Sequence, residues 1–138
     1  MTVTLNRLDH VNVRTANLDA MIEWYGRMLG MTTGPRPGFS FPGAWLYAGD
    51  DPVIHLVGVD APPGADAGAL RIEHFALSAT GSGELVERAK AAGERADVRK
   101  VPDFPIVQEN LWDPDGNHLH IDFDEAEAKE AGVEPGSF

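Results

Sequence analysis

The 138-residue chain carries 22 acidic against 11 basic residues, a formal charge of −11, with 43% hydrophobic content and no cysteine. A chain of this length buries roughly two-thirds of its unfolded surface around one core, and without cysteine it has no disulfides, thiolate metal sites or thiol nucleophiles, which leaves His, Asp and Glu as strong metal ligands. The acidic balance argues against nucleic acid, and the start MTVTLNRLDHV, with no membrane-length apolar run after it, predicts a cytoplasmic protein with no membrane partner.

In chain order, Leu5 to Arg14 alternates and is rich in β-formers, which predicts a strand. From Asn17 to Leu29 the residues Leu18, Met21, Ile22, Tyr25, Met28 and Leu29 recur at helical spacing, with Asn17 as the expected N-cap and Gly30 as the C-cap. Met31 to Arg36 reads as a weaker strand, broken by Gly34 and Pro35. Ala44 to Gly49 and Val53 to Gly58 read as strands joined by a turn at Asp50-Asp51-Pro52. Asp60 to Ala69, DAPPGADAGA, has the composition of a linker.

The same order then begins again. Leu70 to Ala79 reads as a strand, Ser82 to Ala92 as a helix ended by Gly93, and Glu94 to Val101 and Phe104 to Trp112 as strands. DPDGN at Asp113 to Asn117 is a turn, with Gly116 and Asn117 expected at positive φ, into the strand His118 to Phe123. GSGE at Gly81 to Glu84 is too short for a phosphate loop and opens the second helix. Asp124 to Lys129 is a short acidic helix or a disordered end. The expectation is one α+β domain over residues 1–138, built as two tandem βαβββ modules at about 5–58 and 70–123 with a linker at 59–69 and a tail at 124–138.

The repeat organises the histidines. Leu8-Asp9-His10 aligns with Ile72-Glu73-His74 at an offset of 64, Gly30 with Gly93 at 63, and His55 with His120 at 65. With five histidines in the chain, a chance match at any one position is about one in 28. Strand parity places His10 with Asn12 and Arg14, and His120 with His118 and Asp122, while Leu119, Ile121 and Phe123 face a helix. The polar rows then face the hollow of a curved mixed sheet, an open cup. His118 lacks a repeat partner, since its equivalent is Val53, and is left out of the metal set. Asp9 and Glu73 fall on the opposite face by parity and read as solvated or backbone-bonded. Phe39, Phe41, Trp45, Tyr47 and Trp112 are either core or the walls of an apolar pocket.

The segments LDHVNVRTANLDAMIEWYGRMLGM, WLYAGDDPVIHLV, IEHFALSA and LWDPDGNHLHIDF, spread over roughly residues 5–123, resemble the vicinal oxygen chelate superfamily. That superfamily includes glyoxalase I, extradiol dioxygenases, methylmalonyl-CoA epimerase, fosfomycin-resistance enzymes and bleomycin-binding proteins. The resemblance implies ligands from the first and last strands of each module, here His10, His55, His74 and His120. It also departs from the pattern: relatives usually have Glu at the position of His120, and typical glyoxalases have Glu or Gln at that of His55.

Two expectations follow. The first is an enzyme holding one divalent transition metal (Fe, Ni, Zn, Cu or Mn), on which a small substrate chelates through vicinal oxygens for lyase, isomerase or dioxygenase chemistry. His120 and Asp122 are then the candidate proton carriers, and Arg14, Asn12, Trp45 and Tyr47 the substrate contacts. The second is a metal-free ligand-sequestering protein of the bleomycin-resistance kind. In either case a homodimer is expected, because so small a chain gains core by pairing.

Overall fold

The structure is a computed structural model, and the residues it describes are 3–64 and 70–138, so part of the expected linker, Ala65 to Ala69, lies outside them. The fold is α+β. The chain divides between Pro63 and Gly64 into two compact units, each with its own mixed sheet.

The first unit runs β1 (Val11–Thr15), α1 (Leu18–Leu29), β2 (Thr32–Thr33), β3 (Gly43–Ala48) and β4 (Asp51–Gly58). Its sheet has the order β1-β4-β3-β2, with β1 parallel to β4 and the other pairs antiparallel. Alternation divides the sheet into two faces. Ala44, Leu46, Ile54 and Leu56 are buried on the side of α1, whose Met21, Trp24, Tyr25 and Met28 are buried in turn. Each buried Leu, Ile or Met among them contributes roughly 1.5–3 kcal/mol, so this face holds the unit together and leaves the other to polar and aromatic groups.

Several boundaries differ from the sequence expectation for local reasons. β1 starts at Val11, not Leu5: continuing the register upstream from Val11↔Ile54 would set Asp9 against Pro52, which has no N–H to give. The turn before β4 sits at Gly49-Asp50, where Gly49 supplies φ +64°. Asn17 does not cap α1 with its side chain; its own N–H is taken by Thr15 Oγ1 at 2.9 Å. Gly30 closes the helix in the left-handed conformation, as expected.

The second unit runs β5 (His74–Ser78), α2 (Ser82–Ala92), β6 (Ala96–Lys100), β7 (Ile106–Trp112), β8 (His118–Asp124), α3 (Glu125–Glu130) and β9 (Gly136–Ser137). The order is β5-β8-β7-β6-β9, with β5 parallel to β8. The predicted apolar row Leu119, Ile121 and Phe123 is buried, and Val86, Val98, Val107 and Ala128 form a core cluster.

β5 begins at His74, not Leu70, because the next register position upstream would fall on Asn117 inside the DPDGN turn. In that turn Gly116 alone has positive φ; Asn117 instead donates its side-chain amide to Asp113 at 2.9 Å. The tail is an ordered helix: Asp124 caps α3 by accepting from Ala126 N at 2.8 Å, and Glu127 reaches back to the N–H groups of Gly81 and Ser82 at the start of α2. β9, which pairs with β6, was not anticipated.

One polar side chain interrupts the apolar face of this sheet. Glu109 is buried and accepts from Ser82 Oγ at 2.5 Å. Burial pushes its carboxyl up to about 7, with the charge of Glu127 adding and the Ser82 hydrogen bond opposing. No described helix is long and apolar enough to cross a membrane.

Candidate metal centre

The two units place their histidines at equivalent register positions. In the first, Asn12, two residues after His10, is the partner of His55; in the second, Ala76, two residues after His74, is the partner of His120. The 64 and 65 offsets read from the sequence are therefore a property of the strand pairing. Val53 and His118 share the remaining equivalent position, and His118 lies in direct register with His74.

In the first unit His10, Trp45 and His55 form a stack of parallel rings. The His10 and His55 centroids are 3.8 Å apart and those of Trp45 and His55 3.9 Å apart, each pair at 10°. His10 Nδ1 lies 2.7 Å from Asp9 Oδ2. A carboxylate accepts, so Nδ1 donates and Nε2 keeps its lone pair. His55 donates Nε2–H to the Pro52 carbonyl at 3.0 Å, which leaves its Nδ1 as the acceptor. Burial, and then the neighbouring His10, hold the His55 pKa below its ordinary value and so favour the neutral ring that a metal requires.

In the second unit the pattern recurs. His74 Nδ1 donates to Glu73 Oε2, and His120 Nδ1 donates to Asp122 Oδ1 at 2.6 Å. The Nε2 of His120 lies 3.5 Å from the Gln108 amide nitrogen. The His74 ring centroid is 4.6 Å from that of His120 and 5.2 Å from that of His118. Glu73 also accepts from His118 Nδ1 at 2.7 Å, and these two imidazole hydrogen bonds, that of His74 first, hold its carboxyl below the usual range.

Imidazole and carboxylate donors are of the kind that suits a divalent transition metal. Of the four expected ligands, His10, His74 and His120 have Nδ1 tied to a carboxylate, the arrangement that fixes the tautomer of a ligating imidazole and directs Nε2 outward. Among the described residues, the His and acid group whose candidate ligand atoms all lie within 4.8 Å of one another is Glu73, His74 and His118, which includes one of the four expected ligands, His74. One feature of the expected set needs adjustment: the lone pairs lie in the planes of rings stacked 3.8 Å apart at 10°, and lone pairs in parallel planes do not converge, so His10 and His55 must splay to share one ion.

The expected substrate contacts divide. Asn12 and Arg14 are exposed and share the histidine face, and Trp45 lies against His55. Tyr47 follows a register shift after Leu46 and gives its hydroxyl to the Pro35 carbonyl, with its ring filling the space beside Gly34, so it ties down the preceding loop. Trp112 stacks on His118 at 5.1 Å, and Phe39 and Phe41 stack on each other with Arg36 over both rings. Asp9 and Glu73, expected to be solvated or backbone-bonded, are open to solvent, and what the sequence reading missed is their bond to a histidine ring. Both precede their strands, where parity does not apply, and both bond the ring that follows. The repeated acid-His pair, Asp9-His10 and Glu73-His74, was the available signal.

The chain belongs to the Glyoxalase/Bleomycin resistance protein/Dioxygenase superfamily, whose family model matches residues 7–121. Solved structures share the fold. A glyoxalase family protein from Bacillus anthracis, 20% identical, superposes with a TM-score of 0.73 over 90% of this chain and 99% of its own. The trypanothione-dependent glyoxalase I of Leishmania major, 23% identical, gives 0.63 over 94% and 100%. Lactoylglutathione lyase from Agrobacterium tumefaciens, 18% identical, gives 0.65 over 87% and 95%. No curated protein matches the chain by sequence.

Proposed function

We propose that this chain is a metal-dependent enzyme of the glyoxalase or dioxygenase type, with His10, His55, His74 and His120 as the ligands of one divalent transition metal. The observation that carries this reading is the acid-to-Nδ1 pairing of His10, His74 and His120, which leaves the Nε2 lone pair of each for a metal, that of His120 facing the Gln108 amide at 3.5 Å. The metal would supply Lewis acidity to a small substrate bound through two adjacent oxygens.

The remaining work falls to side chains. Asp122 holds the Nδ1 proton of His120 at 2.6 Å, so the two form a dyad able to hold or pass a proton beside the substrate. Arg14, exposed on the histidine face, is suited to a substrate carboxylate, and Asn12 beside it to a hydroxyl or carbonyl. Trp45 packs an apolar substrate edge against the ring stack. We read the working form as a cytoplasmic homodimer. Its support is the exposure of the repeat-equivalent apolar residues Leu8 and Ile72, 80% and 77% open to solvent, which a second copy would cover.

Acetohydroxamate, a small vicinal-oxygen chelator, tests the reading. It is expected to bind the zinc-loaded protein and not the metal-free protein, measured by calorimetry. The second reading, a metal-free binding protein of the bleomycin-resistance kind, is favoured by the parallel His10, His55 and Trp45 stack, which suits a planar ligand as it stands. Equal binding of a planar aromatic cation with and without metal, and none of acetohydroxamate, would select it.

A further inference from the structure

His118 stands in the metal centre without a counterpart in the first module, and its two nitrogens settle what it does. Asn110 donates Nδ2–H to the Asp97 carbonyl at 3.0 Å, which fixes the amide so that its Oδ1 faces His118 Nε2 at 2.8 Å. On the other side His118 Nδ1 meets Glu73 Oε1 at 2.7 Å. Both ring nitrogens of His118 thus have a protein oxygen as partner, which sets the ring between Asn110 and Glu73 and turns neither nitrogen to an open position. Trp112 stacks flat on the same ring at 14°, and the Arg95 guanidinium lies 3.7 Å from the Trp112 centroid.

We propose that His118 is a positioning residue: anchored by Asn110 and Trp112, it holds Glu73, and Glu73 in turn holds the His74 ring with Nδ1 protonated and Nε2 presented. This rests on the reading of His74 as a ligand and adds to it a relay of named order, Asp97 carbonyl, Asn110, His118, Glu73, His74. The repeat supplies an internal comparison. Asp9 bonds His10 as Glu73 bonds His74, but the place of His118 is taken by Val53, so the first module has the acid-histidine pair without the anchor. The Glu73 side chain is 63% exposed, and a carboxylate that open to solvent would sample many rotamers unless a second donor fixed it.

The relay makes His118 different from a ligand in a measurable way. In His118→Phe the stack on Trp112 is kept and both donors are lost. Nickel, titrated by calorimetry into the full chain, is expected to bind at the parent's stoichiometry with affinity lowered about 10–100-fold, the usual effect of removing a group that orients a ligand. In the metal-free protein, long-range proton–nitrogen NMR is expected to show His74 as one tautomer, protonated at Nδ1, in the parent and as a mixture in His118→Phe. Asn110→Leu, which removes the acceptor of His118 Nε2 and leaves the His74 and Glu73 side chains in place, should shift both readouts in the same direction and serves if His118→Phe does not fold. Loss of a whole metal equivalent in His118→Phe, as expected for His74→Ala, would make His118 a ligand and overturn the proposal. Unchanged affinity with an unchanged His74 tautomer would overturn it also. If the parent itself binds no nickel the metal reading falls, while the tautomer of His74 still decides the relay.

Discussion

Asp122 Oδ1 sits 2.6 Å from Nδ1 of His120, two residues earlier on the same face of β8. The carboxylate fixes the tautomer and raises the basicity of the other ring nitrogen. Asp122→Asn keeps an acceptor there but removes the charge. Its zinc affinity, measured by competition with a chelator dye, is expected to fall about tenfold, and that of Asp122→Ala further. Parent-like affinity in both variants would remove His120 from the ligand set.

The stack of Trp45 on His55, 3.9 Å between centroids, gives a reporter. If His55 must turn away from His10 to reach the metal, it leaves Trp45 as well. A saturable change in tryptophan fluorescence is expected on zinc addition, and Trp45→Phe should abolish most of it although Trp24 and Trp112 remain. A change of the same size in Trp45→Phe would place the movement elsewhere.

Glu109 sets a pH dependence of stability from the apolar face of its sheet. Its carboxyl is raised from 4.5 to about 7 in the folded chain, so between those values the folded state binds more protons than the unfolded one. Its contribution is complete below about 4.5 and is lost as pH rises through about 7, on the order of 3 kcal/mol in all. Glu109→Gln keeps an acceptor for Ser82 and cannot ionise. Denaturant unfolding should show the variant gaining on the parent between pH 5 and pH 8; a constant difference would mean that Glu109 titrates normally.

How much of this the sequence carried depends on whether a feature was periodic or local. The helix Ser82–Ala92, the apolar row of Leu119, Ile121 and Phe123, and the equivalence of His10 with His74 and His55 with His120 follow from periodicity and repeat, and the structure has each of them. What escaped depends on where pairing stops. Parity missed the bonds of Asp9 and Glu73 to the rings that follow because both lie before their strands, Asp9 two residues ahead of β1 and Glu73 one ahead of β5. β9 escaped because Gly136–Ser137 has no strand pattern and is held by β6. Asn110 escaped because its role comes from a contact across β7 and β8 with His118. Nothing in the order of residues announces it.

His55 bears on the metal-free protein. Its ordinary value is 6.5, and burial with the neighbouring His10 lowers it in the folded chain, so the stability it supports is complete above 6.5 and is lost as pH falls toward the lowered value. Unfolding of apo protein is therefore expected to become easier below about pH 6.5, and His55→Leu should blunt that loss. An identical acid dependence in His55→Leu would assign it to other groups.

The most direct test of the four-histidine centre is thermal unfolding with and without zinc for the parent, His74→Ala and His120→Ala. Zinc at a hundredfold excess over Kd should stabilise the parent by about 2.7 kcal/mol, with the gain shrinking as pH drops and the imidazoles protonate. Either alanine variant is expected to lose this gain, while His118→Ala, which removes an orienting group and no ligand, should keep part of it, about 0.4–1.4 kcal/mol at the same zinc concentration for a site weakened 10–100-fold. If all three respond to zinc as the parent does, or the parent does not respond, the centre is not built from these histidines.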